Sequence, residues 1–283
     1  MGMGDMKTLH LNKKDLDLRE YKQRHAMASD FSILINEPTL VYVDGRLVIA
    51  YLLPADSRGI IERVKQAVEG VRIQKDYRTS GLKTASRVFG FEPRKALRKK
   101  DYCSPVSLAH EDASRHQAVL QGGEVVASEY SKVNPDLYAE HARQTEENIV
   151  DEYKVDGMPF TSGIINRNNP LKYHFDSGNY REVWSGMYTF KNKVKEGHLS
   201  FPEYDLGVNL QDKSLILFDG QKILHGVTPI TQLEEGSTRH TVVYYSLRQM
   251  WNCLPLDEEL LRARKLRDER ELKRRNGILP TGK

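Results

Sequence analysis

The chain has 283 residues, 39% hydrophobic and 29% charged, with a formal net charge of +4. That length suits one large β domain with helical additions, or two small domains. No window approaches the ~18 uninterrupted apolar residues of a membrane span, and the polar stretch 1–14 lacks the apolar core of a secretory leader, so neither is expected.

Two cysteines, Cys103 and Cys253, are too few for a structural zinc site or a disulfide framework, and they suit a reducing, intracellular setting. Charge is unevenly spread. Residues 72–100 hold ten Lys/Arg against two Asp/Glu, and residues 257–283 hold nine against six. Such runs are solvated faces or polyanion-binding surfaces.

In chain order, residues 1–38 are weakly patterned. Leu40–Val43 and Leu47–Tyr51 flank Asp44-Gly45, which predicts a hairpin with a tight turn. Ser57 is placed to cap a helix to about Gly70, whose Ile60, Ile61, Val64, Ala67 and Val68 share a face. Gly and Pro within 72–100 predict an ordered basic loop, and 104–133 reads as loop. Asn134-Pro135 opens a helix to about Tyr153.

From Phe160 onward, short apolar runs alternate with turn residues, as in an antiparallel sandwich or barrel. Asp257 caps a last helix that stops at Asn276-Gly277. The expected organisation is α+β. A helical and hairpin region spans 1–159, a double-stranded β-helix (jelly-roll, cupin-like) core spans 160–253, and a basic helix spans 254–283.

Chemistry concentrates in the second half. In Tyr173-His174-Phe175-Asp176, a strand would project His174 and Asp176 to one face. A similar trio, His110-Glu111-Asp112, sits in a polar stretch without strand alternation and is set aside. Forty-nine residues after Asp176 comes His225, at the head of a further strand. Two histidines and a carboxylate on one side of a metal form the facial triad of non-haem iron(II), although zinc can use the same ligands.

Fourteen residues past His225 stands Arg239, followed by Thr241. A guanidinium fork grips a carboxylate in a bidentate manner, and a hydroxyl two residues on adds a third hydrogen bond. That grip suits the distal carboxylate of 2-oxoglutarate, and it favours iron(II) with 2-oxoglutarate and O2 as the cofactor set. Strand parity puts Arg239, Thr241, Val243 and Tyr245 on one face.

Over about 160–247 the sequence resembles the TET/JBP family of methylcytosine oxygenases and thymine hydroxylases. The resemblance lies in His174-Phe175-Asp176-Ser177-Gly178-Asn179, in Leu217-Phe218-Asp219-Gly220 with His225-Gly226-Val227-Thr228-Pro229-Ile230, and in Arg239-His240-Thr241 with Tyr245. It implies that His174, Asp176 and His225 bind iron and that Arg239 and Thr241 hold 2-oxoglutarate. It implies also that Asn179 bonds the polar edge of a pyrimidine and that Tyr245 stacks on its ring. Asn179 is equally a turn residue after Gly178, and Tyr245 equally a core aromatic. The sequence departs from the animal enzymes at Leu247, where a histidine stands two residues after the stacking tyrosine, and in lacking their Cys-rich zinc module.

The implied substrate is the methyl group of a 5-methylpyrimidine in double-stranded DNA, 5-methylcytosine ahead of thymine, presented by base flipping. Arg78, Lys83, Arg87, Arg94, Arg98 and Lys99 are the candidate phosphate contacts. The alternative is the same chemistry on a peptide or small metabolite. A non-enzymatic DNA-binding module is a third reading, and the intact triad counts against it. The expected setting is intracellular and DNA-associated, with the protein as a monomer.

Overall fold

The computed structural model describes residues 6–22, 24–77, 83–95, 100–155 and 157–278. The first part forms β1 (Lys7–Leu11), α1 (Leu18–Tyr21), β2 (Ile33–Ile35), β3 (Thr39–Val43), β4 (Arg46–Leu52) and α2 (Ile60–Gly70). Next come β5 (Gln74–Tyr77), β6 (Lys83–Glu92), β7 (Ser104–Pro105), α3 (Leu108–Glu111), α4 (Ala113–Val133) and α5 (Pro135–Asn148). The second half holds β8 (Ser162–Arg167), β9 (Ser185–Asn192), β10 (Val194–Glu196), β11 (Leu199–Phe201), β12 (Leu206–Val208) and β13 (Ser214–Phe218). It ends with β14 (Gly226–Val227), β15 (Ile230–Gln232), β16 (Thr238–Tyr245) and α6 (Leu256–Arg275).

A large sheet runs β1-β3-β4-β13-β9-β16-β8-β6-β5, with β7 beside β6. Its pairings are antiparallel except β1 with β3. A small sheet, β14-β11-β12-β2, faces it and completes the jelly roll. Strands from before residue 160 are hydrogen-bonded directly to strands from after it, so the sheet crosses the expected boundary without a break.

Alternation along the strands separates two cores. Tyr188, Leu215, Leu217, Val242 and Tyr244 pack outward against Ile61 and Val64 of α2 and Val119, Val126 and Tyr130 of α4. Val41, Ile49, Ile216 and Phe218 face inward against Leu199, Phe201, Leu206 and Val208 of the small sheet. The period of two therefore buries both faces of the central strands, which reads in sequence as continuous apolar runs.

The hairpin expected around Asp44-Gly45 is present as β3 and β4. The helix at 60–70 is also present, but Ser57 does not cap it: Gly59 is the N-cap residue, and the Asp56 carboxylate accepts from the first-turn amides of Ile61 and Glu62 at 3.0 and 2.9 Å.

Three expectations are overturned. The basic segment read as loop contains β5 and β6, and β6 pairs with β8 inside the large sheet. The stretch 104–133 read as loop contains the 21-residue α4. Its Gly122-Gly123 pair looks like a helix breaker, yet it lets the helix backbone press onto the ring of Tyr244. A Cβ at Gly122 would collide with the Tyr244 hydroxyl and a Val64 methyl. Gly122→Ala is therefore expected to destabilise the fold by about 1–3 kcal/mol despite the better helix propensity of alanine, read as a lower denaturation midpoint.

Finally, Cys103 and Cys253, expected reduced, are joined by a disulfide. They meet in a buried cluster with Ile149, Tyr153, Tyr180 and Met250 that ties the approach to α3 to the turn after β16. Their sequence separation of 150 residues carries no spacing signal. Among the described residues, no helix is long and apolar enough to cross a membrane.

Candidate active site

His174 and His225 face each other across an isolated antiparallel bridge, outside the named strands. Each donates its backbone N–H to the other's carbonyl, at 2.9 and 3.2 Å. The Nδ1 of His174 lies 2.7 Å from the Lys172 carbonyl, and that of His225 lies 2.9 Å from the Ile223 carbonyl. A carbonyl only accepts, so both rings carry hydrogen on Nδ1, and Nε2 is the atom each would turn to a metal.

Asp176 reaches the same point from a turn and not from a strand. Its amide donates to the Gly220 carbonyl at 2.8 Å, and its own carbonyl accepts from the Asn179 amide at 3.2 Å. Its Oδ1 lies 3.6 Å from His174 Nε2 and its Oδ2 lies 3.8 Å from His225 Nε2. The three ligand atoms fall within 4.8 Å of one another, a group that can hold a metal ion, and no other such group occurs among the described residues. The trio His110-Glu111-Asp112 does not qualify.

Gly220 sits directly behind Asp176, and a Cβ there would overlap Oδ2. Gly220→Ala should push the carboxylate out of line. We expect a 10- to 100-fold loss of metal affinity, about the effect of losing a supporting contact. Titration with Mn(II) checks this, with the unfolding midpoint as control.

The three groups line one end of a cavity of about 660 Å³ between the two sheets, whose wall also includes Asn179, Arg239, Thr241 and Tyr245. Strand β16 thus projects Arg239, Thr241, Val243 and Tyr245 into the cavity while Val242 and Tyr244 go to the helices. Arg239 is 3% exposed. Its Nε and Nη2 have no hydrogen-bond partner, and burial lowers its pKa to about 10. A buried guanidinium without a counter-charge is costly, and a carboxylate entering the cavity relieves that cost. Thr241 Oγ1 accepts from Asn166 Nδ2 at 3.2 Å, which leaves its hydroxyl hydrogen to donate. The Asn179 side-chain amide donates to Ser185 Oγ at 3.1 Å, and its oxygen is not used in that contact.

The phosphate contacts expected from sequence fare differently. Arg87 is buried and committed to Ser107 Oγ at 2.9 Å and to the Glu111 carboxylate at 2.8 Å. It points away from the cavity, which its strand neighbours Ser86 and Val88 line. Arg94 is clamped on the fully buried carboxylate of Glu259, which also accepts from the Cys103 and Leu254 amides. That clamp fixes the start of α6. Both guanidinium groups are therefore occupied inside the chain, and neither is presented as a phosphate ligand would be. Arg78, Arg98 and Lys99 lie outside the described residues, as does the side chain of Lys83.

Sequence reasoning missed several lining residues: Asn166, Asn169 and Ser185 in the wall. Asn166 lies directly opposite Thr241 in the β8–β16 register. Only that pairing reveals it, because its own strand reads simply as apolar and polar alternation.

The family model for the Tet/JBP oxygenase domain of the 2OGFeDO superfamily matches residues 98–248, more than half of the chain. The chain belongs to this family. Its members take Fe(II), 2-oxoglutarate and O2, so the protein is a 2-oxoglutarate/Fe(II) oxygenase, and the His174–Asp176–His225 group and the buried Arg239, whose Nε and Nη2 lack partners, fit that pair of groups.

Among solved structures, NgTET1 in complex with 5mC DNA is similar with a TM-score of 0.59 and 16% identity, covering 88% of this chain and 85% of that one. A 2OG-Fe(II) oxygenase family oxidoreductase from Burkholderia pseudomallei gives a TM-score of 0.41 at 12% identity, covering 86% and 100%. A Trichoplax adhaerens prolyl hydroxylase in complex with a hypoxia inducible factor peptide fragment also gives 0.41 at 12%, covering 71% and 85%. No curated protein sequence matches the chain.

Proposed function

We propose that this Tet/JBP-family oxygenase hydroxylates the methyl group of 5-methylcytosine in DNA. The observation that carries the reading is the shared cavity. A three-ligand metal group, a buried arginine with two unpartnered nitrogens, and Asn179 and Tyr245 all line one space. NgTET1, whose fold is similar, has been seen with 5mC DNA, which adds support.

In this reading His174, Asp176 and His225 hold Fe(II), and Arg239 with Thr241 grips the distal carboxylate of 2-oxoglutarate. Together with dioxygen, these groups supply the oxidising power for one C–H bond, converting methyl to hydroxymethyl while 2-oxoglutarate becomes succinate and carbon dioxide. The chain itself orients the reactants and excludes water. Val243 and Met187 give the cavity an apolar floor.

Asn179 selects the base. One hydrogen of its NH2 group goes to Ser185, and its side-chain oxygen takes no part in that contact and can accept from a ligand. An acceptor there suits the 4-amino group of cytosine and opposes the O4 of thymine. Tyr245 provides a ring for the base to stack on. The base must leave the duplex to arrive, which calls for phosphate contacts beside the mouth; Lys95 lines the cavity and is half exposed, but its ammonium is already paired with Glu92.

The test is to incubate the protein with Fe(II), 2-oxoglutarate and DNA carrying 5-methylcytosine or only ordinary bases. Nucleosides are then measured by mass spectrometry, with His174→Ala as blank. Hydroxymethylcytosine is expected only in the first sample with wild-type protein. Hydroxymethyluracil formed from thymine would overturn the choice of base. Succinate without any modified nucleoside would move the substrate to a peptide or metabolite.

A further inference from the structure

Next to Arg239, which lines the cavity, stands a second cation. Lys191 on β9 lies directly opposite Arg239 on β16 in the antiparallel register. Cross-strand partners project to the same side of a sheet. The parity of β9 agrees, because Met187 lines the cavity and Lys191 is four residues on.

The surroundings of Lys191 are neutral. Its Nζ is bonded to the Asn209 Oδ1 at 3.2 Å and the Glu196 carbonyl at 3.3 Å. The Glu196 carboxylate is turned to the Thr231 hydroxyl at 2.6 Å, and Asp212 receives the Lys191 backbone amide and the Lys65 ammonium. Among the described residues, no carboxylate forms an ion pair with Lys191 or with Arg239. Burial, with Arg239 next to it, pushes the Lys191 ammonium down to about 8. Two further polar atoms at this end have no partner, the hydroxyl of Thr189 between Met187 and Lys191 and the Nδ1 of His198. A buried cation with a half-buried one across the strand, and two orphaned polar atoms, make a poor interior and a good anion site.

We propose that Lys191 is a second cation of the site for the co-substrate's distal carboxylate, and that the pair Arg239–Lys191 makes the site select a dicarboxylate 2-oxo acid. This rests on the co-substrate reading above and extends it to a residue outside the Arg-x-Thr motif. One cation holds a carboxylate by geometry, through its fork. The second adds field: it stabilises any second negative charge at that end and gives nothing to a neutral alkyl chain.

The test is calorimetric binding, under anaerobic conditions and with Mn(II) present, of 2-oxoglutarate and of 2-oxopentanoate, which has the same chain length without the distal carboxylate. Wild-type protein is expected to prefer 2-oxoglutarate by about 100-fold or more, as loss of a desolvated charge pair implies. Lys191→Gln keeps donors for Asn209 and the Glu196 carbonyl but loses the charge. It should bind 2-oxoglutarate about 10- to 100-fold more weakly and 2-oxopentanoate as before, while Lys191→Arg stays near wild type. If Lys191→Gln is unfolded, Lys191→Met carries the same comparison, and the Lys191→Arg result stands by itself: a 10-fold loss there would overturn the claim that charge is what matters.

Unchanged 2-oxoglutarate binding in Lys191→Gln, or equal losses for both acids, would also overturn the inference. Wild-type protein that bound 2-oxoglutarate no better than 2-oxopentanoate would remove the co-substrate reading itself, and the inference with it.

Discussion

Arg239→Leu is expected to separate stability from function by moving them in opposite directions. The guanidinium is buried, two of its nitrogens lack partners, and a second cation sits across the strand. Leucine removes an uncompensated charge, fills a similar volume and leaves no carboxylate behind. The ligand-free protein should therefore be as stable as wild type or more stable by about 1–3 kcal/mol, the range seen when buried charges are replaced by apolar groups.

Binding should go the other way. A desolvated, bidentate carboxylate contact is worth about 3–4 kcal/mol, so 2-oxoglutarate affinity should fall by about 10²- to 10³-fold. Thermal unfolding with and without 2-oxoglutarate checks both halves in one experiment. A variant that lost stability and kept affinity would mean that Arg239 is structural. Most core substitutions lose stability, so the opposite sign is informative. It would mark Arg239 as a residue kept for its ligand at the expense of the fold.

The parts of this site that were legible in the sequence share one property: their geometry is local. Along β16, a period of two is enough to place Arg239, Thr241, Val243 and Tyr245 together, and the cavity bears this out. The His174-x-Asp176 spacing was informative for a similar reason, although the chain there makes a turn held by Gly220 and not a strand. Both spacings bring their side chains to one side, so the pattern survived the wrong element.

What was illegible depends on pairing between distant segments. Asn166 and Lys191 become site residues only through their register with Thr241 and Arg239. Arg87 and Arg94 looked like members of one basic surface, and their partners Glu111 and Glu259 lie 24 and 165 positions further along the chain. Composition counts charge but does not say which charges are already paired. Helix α4 was hidden for another reason. Its glycines cost helix propensity locally, and the contact with Tyr244 that compensates is formed by residue 244 of a different layer.

The largest loss of activity should follow Asp176→Ala, and it should come without loss of fold. The two histidines are fixed independently of any metal. Each ring is anchored through Nδ1 to a carbonyl two residues earlier, and the two backbones hold each other. Asp176 is only partly buried, and its backbone contacts with Gly220 and Asn179 survive removal of the carboxylate. The secondary structure and the metal-free unfolding midpoint should therefore match wild type.

Metal binding should not. The carboxylate is the only anionic ligand of the three, and two neutral imidazoles alone leave a divalent ion poorly held. A tightly bound ion stabilises a folded protein by about 2.7 kcal/mol at a concentration 100 times its Kd. Mn(II) should thus raise the unfolding temperature of wild-type protein, and it should leave Asp176→Ala unmoved at the same concentration. Turnover of 2-oxoglutarate to succinate should fall below detection in parallel. An Asp176→Ala protein that still gained stability from Mn(II) would place the metal elsewhere, and would separate the three side chains that the rest of the site is built around.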